Sequence, residues 1–203
     1  MPSEIVLLSG EAEAEHLPAV LKGHNPALSV ICVESKADLE AACLDAGPPP
    51  DGKRRLIAFC TGIIVPAAVL DAFDGPAYNF HPGPPSYPGA HAASFAIYDG
   101  AERFGATAHV MEKSVDSGAI VGVRWFDVPE KARYVELELA AYRELFQLFL
   151  ELAPHLACDD QPLAPVDEPW GKRKTTKKEF EAMKRITAEM DEDEIKRRWR
   201  AFG

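Results

Sequence analysis

Apolar residues recur along this chain with two periods. Ile5 to Leu8 is a short apolar run, Glu11 to Lys22 follows with helical spacing, and Ala27 to Val33 is a second run rich in β-branched residues. The opening is therefore strand, helix, strand. Ser35 with Asp38 three positions later marks a helix start for Lys36 to Asp45, and Gly47-Pro48-Pro49-Pro50-Asp51-Gly52 is a loop that neither helix nor strand crosses. A third strand is predicted over Leu56 to Cys60, then a helix from Pro66 to about Phe73 closed by Gly75-Pro76. A fourth short strand, Ala77 to Phe80, leads straight into His81-Pro82-Gly83-Pro84-Pro85.

Downstream, Ala90 to Tyr98 suits a helix, while Ala106 to Glu112 and Ile120 to Val128 read as strands separated by the loop Ser114-Val115-Asp116-Ser117-Gly118. Leu137, Ala141, Leu145, Leu148 and Leu152 place one apolar stripe on a long helix, Tyr134 to Leu156. A proline-interrupted strap from Asp159 to Trp170 precedes two helix starts of capping-box form, Thr176 with Glu179 and Asp191 with Glu194. Strands alternating with helices predict an α/β, Rossmann-like fold: a mostly parallel sheet with helices on both faces, formed by residues 1–157, and a short C-terminal helical extension over 158–203.

Composition narrows the class. The 203 residues are 47% hydrophobic and 27% charged, the balance of a globular domain. The longest apolar runs are broken at Thr61, Gly62 and Pro66, so no membrane span is expected. The segment Met1-Pro2-Ser3-Glu4 lacks the basic start of a secretory signal, and a cytoplasmic location is expected. Cys32, Cys43, Cys60 and Cys158 have no close paired spacing and read as reduced, mostly buried thiols, with no metal site. Lone Gly10 after the first strand makes no dinucleotide fingerprint, and no phosphate-binding glycine loop occurs, which disfavours nicotinamide and nucleoside-triphosphate enzymes. Net charge is −10, but residues 171–200 hold 11 Lys and Arg against 7 Asp and Glu, a local +4. Nucleic acid is therefore not expected as a partner, and the basic stretch is either a solvated helix face or a phosphate-contacting edge.

Candidate chemistry begins at the fourth strand. Side chains two apart share one face of a strand, so Asn79 and His81 present an amide and an imidazole to one spot, next to a rigid turn. A lone histidine is more often structural; the pairing at a strand end favours function. Asp116 places a carboxylate in a loop after a later strand, where a plain turn-forming role is the simpler alternative.

Asn79-x-His81-Pro82, then Pro88-Gly89, then His109-x6-Asp116-x-Gly118-x-Ile120 together resemble the folate-dependent formyltransferase family. That resemblance implies 10-formyltetrahydrofolate as formyl donor and a small-molecule amine as acceptor, with a nucleotide-linked amino sugar expected over charged tRNA. It implies Asn79, His81 and Asp116 as catalytic residues: Asn79 and a protonated His81 stabilise the oxyanion, and Asp116 keeps the imidazole charged and relays protons. It further implies that Gly62, Ile63, Ile64, Val65, Val115 and Gly118 line the reduced folate. His109 either supports the loop or fills structure. Ser9-Gly10-Glu11 departs from the glycine-rich phosphate loop of the family's purine enzymes, so a phosphoribosyl acceptor is not expected there. Hydrolysis of the same donor, a non-catalytic binding module, and assembly as a homodimer stay open.

Overall fold

The computed structural model describes residues 1–47, 49 and 53–203. Of the loop expected at 47–52, Pro48, Pro50, Asp51 and Gly52 therefore lie outside the described residues. Four strands, β1 (Glu4–Leu8), β2 (Ser29–Val33), β3 (Arg54–Phe59) and β4 (Tyr78–His81), alternate with α1 (Glu11–His24), α2 (Lys36–Glu40) and α3 (Ala67–Leu70). Ser35 accepts from Asp38 N and starts α2, which widens into a π-wound turn over Ala41–Asp45. After α4 (Ala92–Asp99) come β5 (Arg103–Val110), β6 (Ile120–Asp127), the long α5 (Tyr134–Cys158), α6 (Lys177–Met183) and α7 (Glu192–Phe202).

The sheet order is β2-β1-β3-β4-β5-β6. β1 to β4 are parallel, as the alternation with helices predicts, whereas β5 and β6 run antiparallel to their neighbours. The connection explains the reversal at β6: a loop from Met111 to Ala119 replaces a crossover helix, and a parallel return would need a longer, helix-containing path.

Both faces of the sheet are covered. Ile5, Leu7, Ile57, Phe59 and Phe80 pack against Leu17 and Leu21 of α1 and Leu145 and Phe149 of α5. Val6, Leu8, Leu56 and Ala58 point the other way, toward Leu39, Cys43 and Val69. Edge-to-face contacts from Phe149 to Phe59 and Phe80, centroids 5.6 and 5.2 Å apart, fix β3 and β4 from behind. A third cluster joins α4 to α7 through Phe95 and Phe202.

Cys43 is buried, but Cys32 is exposed, contrary to the expectation from its apolar run, because β2 is the edge strand. The segment beyond α5 is anchored at its start. Buried Arg55 donates to the carbonyls of Leu156 and Asp159 at 2.6 and 3.0 Å, and Tyr78 Oη accepts from Leu163 N. No helix among the described residues is long and apolar enough to cross a membrane.

Candidate active site

Strand register builds the site in two rows. Ala58 of β3, Asn79 of β4 and His109 of β5 are direct partners, so their side chains share the sheet face opposite α5. One step along, His81 lies beside Thr107, whose hydroxyl donates to Gly83 O at 2.7 Å and pins the loop after β4. The expected pairing of Asn79 and His81 on one face is thus present, and Tyr78 and Phe80 alternate into the core.

These rows floor a cavity of about 690 Å³, within the range of small-molecule sites. Ile63, Ile64, Val65, Leu70, Met111 and Val115 give it an apolar side, and Asn79, His81, His109 and Asp116 give it a polar one. Ile64 and Val115 are 69% and 46% exposed at its rim. Gly62 also lines it, so five of the six residues expected at the folate sit on its wall. Gly118 does not: a methyl there would fall 2.1 Å from Val110 O, and its carbonyl accepts from Trp170 Nε1 at 2.8 Å. Its role is to close the loop behind Asp116.

Asp116 is 3% exposed with φ at +46°, and its two oxygens are held differently. Oδ2 accepts from Gly89 N at 2.7 Å, and Oδ1 lies 3.3 Å from His109 Nε2. Burial pushes this carboxyl up, but the bond to His109, the proximity of His81 and the Gly89 N–H outweigh it and hold the group at about 2. Asp116 is therefore ionised at pH 7.

His109 joins the amide to the carboxylate. Its Nδ1 donates to Val110 O at 2.8 Å, while Nε2 is also 3.0 Å from Asn79 Nδ2. With Nδ1 the donor, Nε2 either accepts from Asn79 or, carrying a second proton, donates to Asp116.

His81 corrects one expectation. Its Nε2 is buried without a hydrogen-bond partner among the described residues. Burial, opposed by the Asp116 charge and reinforced by His109, pushes the imidazole below its ordinary value of 6.5. At pH 7 the ring is neutral, not protonated, because desolvation outweighs the carboxylate.

Backbone strain gathers here. Four non-glycine residues among those described have positive φ, and three of them, Cys60, His91 and Asp116, line the cavity. Such conformations cost on the order of 1–3 kcal/mol each and cluster at functional sites. Cys60 is no nucleophile: burial pushes its thiol up to about 11.

The terminal segment reaches the site through the start of its basic stretch and the tryptophan before it. Trp170 meets His109 edge-on, centroids 5.0 Å apart, and Lys174 lines the cavity with Nζ 3.0 Å from Ser114 Oγ. The basic run at the end points elsewhere. Arg197 and Arg198 pair with Glu194, and Arg200 caps Ala132 O at 2.7 Å, so these charges hold α7 in place. Arg173 reaches Glu179 and lies over Phe95.

Residues 10–142 match the model of the formyl transferase family. The chain belongs to that family. Structural relatives of this formyl transferase include an uncharacterised Mycobacterium tuberculosis protein assigned to the sugar N-formyltransferases, with TM-score 0.76 and 19% identity over 100% of this chain and 88% of the other. A Helicobacter canadensis N-formyltransferase, solved with folinic acid and dTDP-3-aminofucose, has TM-score 0.73 and 15% identity over 100% of this chain and 81% of the other. HypX from Aquifex aeolicus, solved with tetrahydrofolic acid, has TM-score 0.69 and 21% identity over 97% of this chain but 34% of its own length. No curated protein matches the sequence.

Proposed function

We propose that this formyl transferase moves the formyl group of 10-formyltetrahydrofolate to an amine, a nucleotide-linked amino sugar being the acceptor, and that Asn79, His81 and Asp116 carry the chemistry. The observation behind this reading is that His81, neutral and with its buried Nε2 lacking a partner among the described residues, lines the same cavity as the ionised Asp116 carboxylate. The apolar side formed by Ile63 to Val65 and Val115 suits a flat pteridine, and the folates seen in the Helicobacter and Aquifex proteins support the donor. The dTDP-3-aminofucose in the Helicobacter protein supports the acceptor class.

As the acceptor nitrogen attacks the formyl carbon, Asn79 donates to the oxygen that gains negative charge. His81 takes the proton that the attacking nitrogen must lose, and the Asp116 carboxylate stabilises the imidazolium so formed. His81 then returns that proton to the folate nitrogen as its bond to the formyl carbon breaks. A neutral resting His81 is what this order requires.

The test is to offer 10-formyltetrahydrofolate with dTDP-linked amino sugars, free amino acids and methionyl-tRNA. An N-formyl amino sugar is expected. Use of the tRNA alone would overturn the acceptor, and carrier loss without any amine would replace transfer by hydrolysis. His81→Ala and Asp116→Ala should each cut turnover at least about a hundredfold.

A further inference from the structure

The loop after β4 and the loop that carries Asp116 are joined by a third segment, Trp170–Thr175, which follows the proline-interrupted strap. Trp170 Nε1 donates to Gly118 O, and Gly171 N donates to Pro85 O at 2.8 Å. Thr175 N donates to Pro88 O, Thr175 O accepts from Ala90 N, and Thr175 Oγ1 donates to Ala90 O at 2.6 Å. The fit leaves no slack: a methyl on Gly89 would lie 2.2 Å from Thr175 O. Gly89, held between those bonds, is the residue whose N–H binds Asp116 Oδ2, and the Trp170 edge contact falls on His109, which faces Oδ1.

We propose that Trp170 and Thr175 are positioning residues for the transfer: they fix the carboxylate of Asp116 through its two partners, His109 on one oxygen and Gly89 on the other. Both residues lie outside the stretch matched to the family model, residues 10–142. Neither touches the reacting atoms in this account; each acts through a neighbour that holds the Asp116 carboxylate. The titratable groups facing Asp116 are His81 from β4 and His109 from β5. From the segment Trp170–Thr175, Lys174 reaches the adjacent Ser114 and Val115 O and no carboxylate among the described residues.

The kinetic arm rests on the formyl-transfer reading, so a second arm is independent of activity. Trp170→Phe keeps the ring edge and loses the indole donor, Trp170→Leu loses both, and Thr175→Val keeps shape but loses the hydroxyl, which Thr175→Ser restores. Trp170→Leu and Thr175→Val are expected to lower kcat about tenfold with the folate KM near that of the unmodified protein, while Trp170→Phe and Thr175→Ser stay within about threefold. In 15N-histidine spectra at pH 7, the ring resonances of His109, assigned with His109→Gln, should move in Trp170→Leu and stay in Trp170→Phe. Unchanged kcat in Trp170→Leu, or a lowered kcat with unmoved His109 resonances, overturns the proposal. If no formyl transfer is found with any acceptor, the function fails separately and the spectra alone decide the positioning.

Discussion

Gly83 stands where the chain has no room for a side chain. A methyl built there lies 2.5 Å from His81 Nε2, 3.1 Å from its Cδ2 and 2.9 Å from Ala92 Cβ. Ordinary contact begins near 3.4 Å, so the imidazole nitrogen or the loop must retreat by about 0.9 Å, the difference between 3.4 and 2.5. A displacement near 1 Å at a reacting group costs roughly a hundredfold in rate, and overpacking costs about 1–3 kcal/mol of stability. Gly83→Ala is therefore expected to lower kcat about 30- to 100-fold, to leave the affinity for folinic acid nearly unchanged, and to lower the urea midpoint accordingly. Adding Ala92→Gly removes the 2.9 Å contact but not the one at His81. Measured against Ala92→Gly alone, the double variant should recover part of the stability and none of the turnover. Normal kcat in Gly83→Ala, or recovery of kcat in the double variant, would refute the claim that this glycine places His81 Nε2.

Three further outcomes follow from the same geometry. Ile64→Glu puts a charge on the exposed apolar rim and should raise the calorimetric Kd for folinic acid about tenfold or more with a smaller effect on kcat; an unchanged Kd would misplace that wall of the pocket. Asn79→Asp keeps shape but adds negative charge where the oxyanion forms, so it should turn over more slowly than Asn79→Ala, and a faster rate contradicts the role given to the amide. The folded value of His81 lies below 6.5, so between that value and 6.5 the unfolded chain binds the proton that the folded chain refuses, and stability falls as pH drops through this window. His81→Gln should remove that part of the slope of urea midpoint against pH; an identical slope in both proteins would reject a buried neutral imidazole.

Much of the site was legible because it obeys local rules. The period of two along β4 put Asn79 and His81 on one face, and the core aromatic Phe80 between them confirms the alternation. The strand-loop-strand pattern around Asp116 placed a carboxylate within a loop that does reach the cavity. What stayed hidden depends on contacts distant in sequence. The neutrality of His81 follows from its burial, with Nε2 lying close over Gly83, which no spacing rule reports. The antiparallel course of β5 and β6 could not be read from apolar alternation, which is the same in either direction. Trp170 meets His109 only because the chain returns after α5, pinned by Arg55 and Tyr78. The basic tail carried a real charge excess, yet its arginines are consumed by Glu194 and by a backbone carbonyl, an outcome set by the docking of α7 on α4.

The central claim is that Asn79, His81 and Asp116 move a formyl group from a reduced folate to an amine. Following a 13C-formyl label by NMR tests it most directly, with 10-formyltetrahydrofolate as donor, dTDP-3-aminofucose as first acceptor, and the unmodified protein beside Asp116→Ala. The account predicts that the label appears as an N-formyl amide on the sugar in the unmodified protein and at least about a hundredfold more slowly in the variant. Label appearing as free formate, or reaching the sugar equally fast in both proteins, would contradict it.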